Sequence, residues 1–220
     1  MDLRHHDGMR LDHLSYAAAP EHLADEVQRI GSALGYGFRD GGLHPRFGTR
    51  NFVLALGGGT YLEVVAALDH PASDAAPFGK AVKARAEAGG GWLGWAVAVD
   101  DIASIETRLG RSSVPGHRRR PDGVDLEWRQ IGVNELIADP QLPFFVQWLG
   151  APELHPAFGA ESDLRIERLE ICGDEDRVST YLGVPREHPL DGIEVDWVEG
   201  EDPGIVAIHF ATPKGSVRLD

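Results

Sequence analysis

Three times along the chain, a strand-like apolar run is followed by one amphipathic helix and then by further strand-like runs. Recurrence of one β-α-β-β-β pattern limits the fold more than any single motif does. In the first unit, residues 11–18 (LDHLSYAA) alternate, with His13 and Ser15 on one face and Leu14 and Tyr16 on the other. Pro20 suits a first helical position, Leu23, Val27, Ile30 and Leu34 make an apolar stripe, and Gly35 is a natural stop. A short strand is expected at residues 36–39. Two apolar runs, 51–56 and 60–65, then flank Gly57-Gly58-Gly59, which predicts a β-hairpin because glycine accepts positive φ.

The pattern restarts at residues 92–99, with Asp100 or Asp101 capping a helix that carries Ile102, Ile105 and Leu109. A turn at Pro121-Asp122-Gly123 separates this helix from strands at 124–131 and 143–149. The third unit has a strand at 164–171, a helix at 174–182 stopped by Gly183, and strands at 193–198, 205–211 and 216–219. The expected organisation is a disordered leader (1–10), a first module (11–70), a linker with an alanine-rich helix (71–91), a second module (92–150) and a third βαβββ-like module (163–220).

The 220 residues, 42% apolar and 25% charged, fit an ordinary globular chain able to bury a large core. A formal net charge of −14 repels phosphate backbones and anionic lipid, so nucleic acid and membrane surfaces are poor partners. The N-terminal segment MDLRHHDGMRLDH lacks the apolar stretch of a secretory signal, and no apolar run is long enough to span a bilayer. A cytoplasmic location is expected by elimination. The lone Cys172 ends an apolar run and reads as a small buried hydrophobe. His5 and His6 read as part of a solvated tail.

Glu63 is the residue that demands an explanation. It shares a strand face with Tyr61 and Val65, inside an apolar run where an unpaired carboxylate costs several kcal/mol. If the hairpin is tight, Val53 lies opposite Glu63, and Asn51 shares its face. Aligning the three units sets His13 against Gly94 and Arg168, and Glu63 against Gln147 and Arg218, at near-equal intervals.

A tandem βαβββ unit with His in its first strand and Glu in its last resembles the vicinal oxygen chelate superfamily. That superfamily includes glyoxalase I, extradiol dioxygenases, methylmalonyl-CoA epimerase and the bleomycin-resistance proteins. Leu11-Asp12-His13-Leu14, Tyr61-Leu62-Glu63-Val64-Val65 and Ala98-Val99-Asp100-Asp101-Ile102 carry the likeness. Gly48-Thr49-Arg50-Asn51, Arg120-Pro121-Asp122-Gly123 and the run 143–148 narrow it to the glyoxalase-like domain proteins. The resemblance implies an α+β fold in which mixed curved sheets form a cup with a divalent metal (Zn, Ni, Mn or Fe) at its base. Each module would give one ligand from its first strand and one from its last.

Carried onto this chain, the resemblance makes His13 and Glu63 metal ligands, with Glu63 also the catalytic base. Asn51, Tyr61, Trp128, Phe145 and Gln147 become the substrate-binding residues. The other two ligand positions fall on Gly94, which offers no donor, and on Gln147, a poor one, so the ligand set is incomplete and there may be no metal. His117 and Asp12 are further candidates, although nothing in their spacing requires it. Arg118-Arg119-Arg120 could grip an anionic substrate or simply balance surface acids, and Glu63 could pair with Arg50. Trp92, Trp95, Trp128 and Trp148 divide between core and cup. Two functions follow: a metal-dependent lyase or isomerase of glyoxalase type, or a metal-free small-molecule binding protein of the bleomycin-resistance kind. Either works as a monomer or homodimer, since the third module can cover exposed sheet edges.

Overall fold

The computed structural model describes residues 9–186 and 189–220. Residues 1–8 of the expected leader, with His5 and His6, lie outside the described residues, and Arg10 already opens the first strand. The first unit consists of β1 (Arg10–Ala17), α1 (Leu23–Leu34), β2 (Arg39–His44), β3 (Thr49–Ala55) and β4 (Tyr61–Ala67). A 3-10 turn at Pro20–His22 leads into α1, which buries Leu23, Ile30 and Leu34 and stops at Gly35 with φ 78°. Two helices follow, α2 (Pro71–Ala75) and α3 (Pro77–Glu87). The second unit consists of β5 (Gly91–Ala98), α4 (Ile102–Leu109), β6 (Val114–Arg119), β7 (Asp125–Ile131), α5 (Glu135–Ala138) and β8 (Phe144–Leu149). The third consists of β9 (Arg165–Cys172), α6 (Glu175–Leu182), β10 (Glu194–Val198), β11 (Gly204–Thr212) and β12 (Gly215–Leu219). Asp101 and Asp174 cap α4 and α6 by accepting from the backbone N–H of Ala103 and Arg177.

The cup is closed. Eight strands form a barrel in the order β1-β4-β3-β2-β6-β7-β8-β5, with β1–β4 and β5–β8 parallel. The hairpin of β3 and β4 sets Val53 opposite Glu63, as the sequence predicts, and turns through Gly58 and Gly59 at φ 84° and 77°. The strand expected at 36–39 instead begins at Arg39, because residues 39–44 pair with β3 and carry the seam to β6. That seam is narrow: Leu43 pairs with Arg119, and a Cβ on Gly42 would stand 2.1 Å from the Arg119 carbonyl oxygen. Only glycine lets the two backbones approach this closely.

Two cores result. The larger lies outside the barrel, where Leu14, Leu62, Val64 and Trp95 meet α1 and the inner face of a second sheet, including Leu169, Ile208 and Phe210. The smaller fills one end of the barrel, where Phe78, Ala81 and Val82 of α3 meet Phe47, Ala96, Leu136 and Val146. The segment read as a linker is therefore part of the barrel's filling. The third unit has the expected element order, but its sheet runs β10-β9-β11-β12. Its last strand does not lie beside its first, so Arg218 is not the counterpart of Glu63. Among the described residues, no helix is long and apolar enough to cross a membrane.

Leu14 is fully buried in the larger core, whereas Leu43 is 47% exposed. Leu14→Ala is expected to lose about 2–5 kcal/mol of unfolding free energy in urea titrations, and Leu43→Ala no more than about 0.5 kcal/mol.

Candidate functional site

The barrel encloses a cavity lined by residues of both modules and of the connections between strands. β1 supplies His13, β4 supplies Tyr61 and Glu63, and β2 ends in His44. From the second module come Arg118 of β6, Trp128 and Gln130 of β7, and Phe144, Val146 and Trp148 of β8. Phe47 and Phe78 close the apolar end. The free space is about 30 Å³, room for about two or three waters at roughly 10–15 Å³ each.

At the polar end, hydrogen bonds fix the geometry. Asp12 is fully buried, next to a register shift in the β1–β5 pairing. Its carboxylate faces His13 Nδ1 at 2.8 Å, His155 Nε2 at 3.1 Å and Trp148 Nε1 at 3.1 and 3.2 Å. Burial alone would raise its pKa, but the hydrogen bonds and charges of His13 and His155 outweigh burial and hold it below the usual carboxylate range. An ionised carboxylate only accepts, so His13 donates from Nδ1 and its Nε2 is left to the cavity. His155 is fixed the same way, since its Nδ1 accepts from the Ala157 N–H at 3.1 Å and its Nε2 donates to Asp12. The Tyr61 ring stacks on His13, with centroids 4.6 Å apart.

Glu63, 3% exposed, lies with Oε1 4.0 Å from His13 Nε2. Ser15 Oγ donates to its Oε1 at 2.6 Å, and Asn51 Nδ2 donates to its Oε2 at 2.6 Å. Burial pushes its pKa up, but the nearby His13 and these two donors prevail and hold it below the ordinary value. Burial drives His44 down to about 3, so it is neutral near pH 7, with Nδ1 2.8 Å from Thr49 Oγ1. Arg118 completes the set. It is 3% exposed, its Nε has no hydrogen-bond partner among the described residues, and its Nη1 donates to Asn51 Oδ1 at 3.5 Å.

This donor set does not fit a resident divalent metal. His13 and Glu63 face each other, but Glu63 already accepts on both oxygens. The register of β5 with β1 and β8 turns Gly94 and Ala96 inward, beside Phe144 and Val146. None of these carries a ligating atom. A side chain at Gly94 has no room either, because its Cβ would stand 2.4 Å from Leu136 Cδ2. Among the described residues, no group of three or more His, Cys, Asp or Glu could hold an ion. Asp12 is taken up by His13, His155 and Trp148, and His117 pairs with Asp125 on the surface at 2.9 Å, so neither completes a ligand set.

Of the residues singled out in the sequence, His13, Glu63, Tyr61 and Trp128 line the cavity, and Asn51 holds Glu63. Phe145 and Gln147 do not line it. Strand parity turns Phe145 outward onto Tyr181 and Arg108, and Gln147 outward to donate to the Asp100 carbonyl at 2.6 Å. The inward residues of β8 are their neighbours Phe144, Val146 and Trp148. Arg50 pairs with Asp40 rather than Glu63. Trp92 joins Trp95 in the outer core, because a bulge at Leu93 reverses the parity of β5. Sequence reasoning missed His44 and His155. His44 had a legible signal, two residues beyond paired glycines, but His155 stands in an irregular connection.

That connection, residues 150–163, lies over the mouth of the barrel. Ala157 packs on Val53 and Tyr61, His155 caps Asp12, and Arg39 donates to the Pro156 carbonyl. Cavities of about 560 and 220 Å³ flank it, sharing Trp148 and Arg118 respectively with the interior.

Because the folded-state pKa of Asp12 is depressed, its contribution to stability is present above the ordinary carboxylate value of 3.8 and is lost as pH falls below it. Asp12→Asn is expected to cost about 2–3 kcal/mol near neutral pH, and the gap from wild type should shrink below about pH 4 in urea unfolding.

A family model described as a glyoxalase-like domain matches residues 11–183. A hypothetical protein from Staphylococcus aureus superposes with TM-score 0.60 at 15% identity, over 96% of this chain and 86% of that one. Methylmalonyl-CoA epimerase from Mycobacterium tuberculosis gives TM-score 0.44 at 19% identity, over 66% of this chain and 90% of its own. A Streptomyces coelicolor methylmalonyl-CoA epimerase variant bound to 2-nitronate-propionyl-CoA gives 0.43 at 16%, over 65% and 95%. No curated protein matches the chain. With the model spanning most of its length and both βαβββ modules in place, this chain belongs to the glyoxalase-like domain family.

Proposed function

We propose that the protein binds a small carbonyl compound in the barrel and moves a proton at the carbon beside the carbonyl, as an isomerase or lyase, using side chains rather than a metal. The observation that carries this reading is the pairing of His13 Nδ1 with buried Asp12, which leaves Nε2 on the cavity wall, 4.0 Å from Glu63. A carboxylate that fixes the tautomer and orientation of an imidazole is the usual support for a general base. His13 takes the proton. Glu63, held ionised by Ser15 and Asn51, stabilises the imidazolium that results. Glu63 is a poorer base than the sequence suggested, since both its oxygens are engaged and its pKa is lowered. Arg118 offers a cation for the oxygen that becomes anionic when the proton leaves.

Aromatic side chains on the remaining wall exclude water and favour a flat, mostly apolar substrate. A substrate larger than the present free space enters by displacing the connection that lies over the mouth. Sequestration without chemistry is the second reading, favoured by Leu136 filling the position where a ligand at Gly94 would stand.

The test is deuterium uptake from solvent by a panel of small 2-oxo compounds, followed by proton NMR with chelator present. A substrate that exchanges with wild type should exchange about 10²–10⁴-fold more slowly with His13→Gln. Exchange that vanishes with chelator, or that survives in His13→Gln, would contradict the proposal. Compounds that raise the melting temperature without exchanging would favour sequestration.

A further inference from the structure

Beyond the cavity, Arg118 also lines the 220 Å³ space beside the mouth, together with Arg39 and Arg120. Two acids line the same space, and both are engaged. Asp40 accepts from Arg50 and from the Gly42 N–H, each at 2.9 Å. Asp122 accepts from Arg120 at 2.6 Å and from the Val124 N–H at 3.1 Å. Arg39 donates to the Pro156 carbonyl, and no carboxylate pairs with either Arg39 or Arg118 among the described residues. Arg39 is thus left without a carboxylate partner, and Arg118 meets only the charge of Glu63, which Asn51 holds on the far side of it, around one cavity of a chain whose net charge is −14. Burial and neighbouring arginine charges lower the pKa of both, and at Arg118 they outweigh the opposing influence of Tyr61 and Glu63.

We propose that Arg39, Arg118 and Arg120 form an anion subsite at the barrel mouth that takes the phosphate monoester end of the ligand. A phosphate monoester carries close to two negative charges near neutral pH and accepts forked hydrogen bonds from guanidinium groups. Two arginines without a paired carboxylate match it in charge, and the space is several times larger than the interior cavity. Arg118 is the wall common to both spaces, so a phosphate held here would direct the other end of the molecule towards His13. The subsite deepens the proton-transfer reading, on which its assignment to a substrate rests.

The test is a titration of the full chain with inorganic phosphate at constant ionic strength, followed by amide NMR shifts. Wild type is expected to saturate in the millimolar range. Arg39→Gln and Arg120→Gln, both changes at the solvent edge, should each weaken binding roughly tenfold or more. Arg119→Gln, exposed on the same strand and outside the cavity, should leave it unchanged, as should His13→Gln. Shifts that never saturate, or that weaken equally in Arg119→Gln, would overturn the subsite. Because His13→Gln keeps phosphate binding but should lose proton exchange, failure of the subsite and failure of the proton-transfer reading give different results.

Discussion

A carboxylate buried without water must find donors, and the structure around Asp12 is arranged to supply them. His13 comes from the same strand, Trp148 from the last strand of the second module, and His155 from the connection to the third. One ionised group thereby ties three parts of the chain to one point at the mouth of the barrel. It also sets which nitrogen of His13 faces the cavity. The Glu63 cluster repeats the logic on the next strand, where Ser15 and Asn51 hold a second buried carboxylate ionised. Two carboxylates are thus kept charged by different partners: one orients the imidazole, and the other faces its free nitrogen at 4.0 Å.

The barrel makes this arrangement possible. Two modules related by a common plan contribute opposite walls, but their polar groups are unequal. The first and last strands of the first module bring His13, Ser15 and Glu63, whereas the matching strands of the second bring Gly94, Ala96, Phe144 and Val146. Helices α3 and α5 fill the end that a second pair of ligands would need, with Phe78 and Leu136. The barrel thus presents a carboxylate–imidazole pair and a buried guanidinium beside a largely apolar wall.

Much of this was legible in the sequence. The Gly57-Gly58-Gly59 hairpin with Val53 opposite Glu63, and a cap from one of the Asp100-Asp101 pair, follow from local rules that the structure obeys. Periodicity failed where it carried no information. PFFVQWL has no clean polar alternation, so the parity of β8 was open, and Phe145 and Gln147 fell on the wrong face. In Arg118-Arg119-Arg120 three like residues hid the alternation that buries Arg118 and exposes Arg119. Barrel closure depends on a seam of one residue pair, and His155 acts from an irregular segment; both are tertiary facts without a local signature. The sheet order of the third unit was hidden for the same reason: element order does not fix which strands pair.

The central claim is that His13 serves through Asp12 and not as a ligand to a resident metal. Its most direct test is elemental analysis of untagged protein after incubation with Zn²⁺, Ni²⁺, Mn²⁺ or Fe²⁺ and removal of unbound ions. The account predicts far less than one ion per chain, with no difference between wild type and His13→Ala. A near-stoichiometric metal that disappears in His13→Ala and in Glu63→Gln would contradict it, and would make both side chains metal ligands.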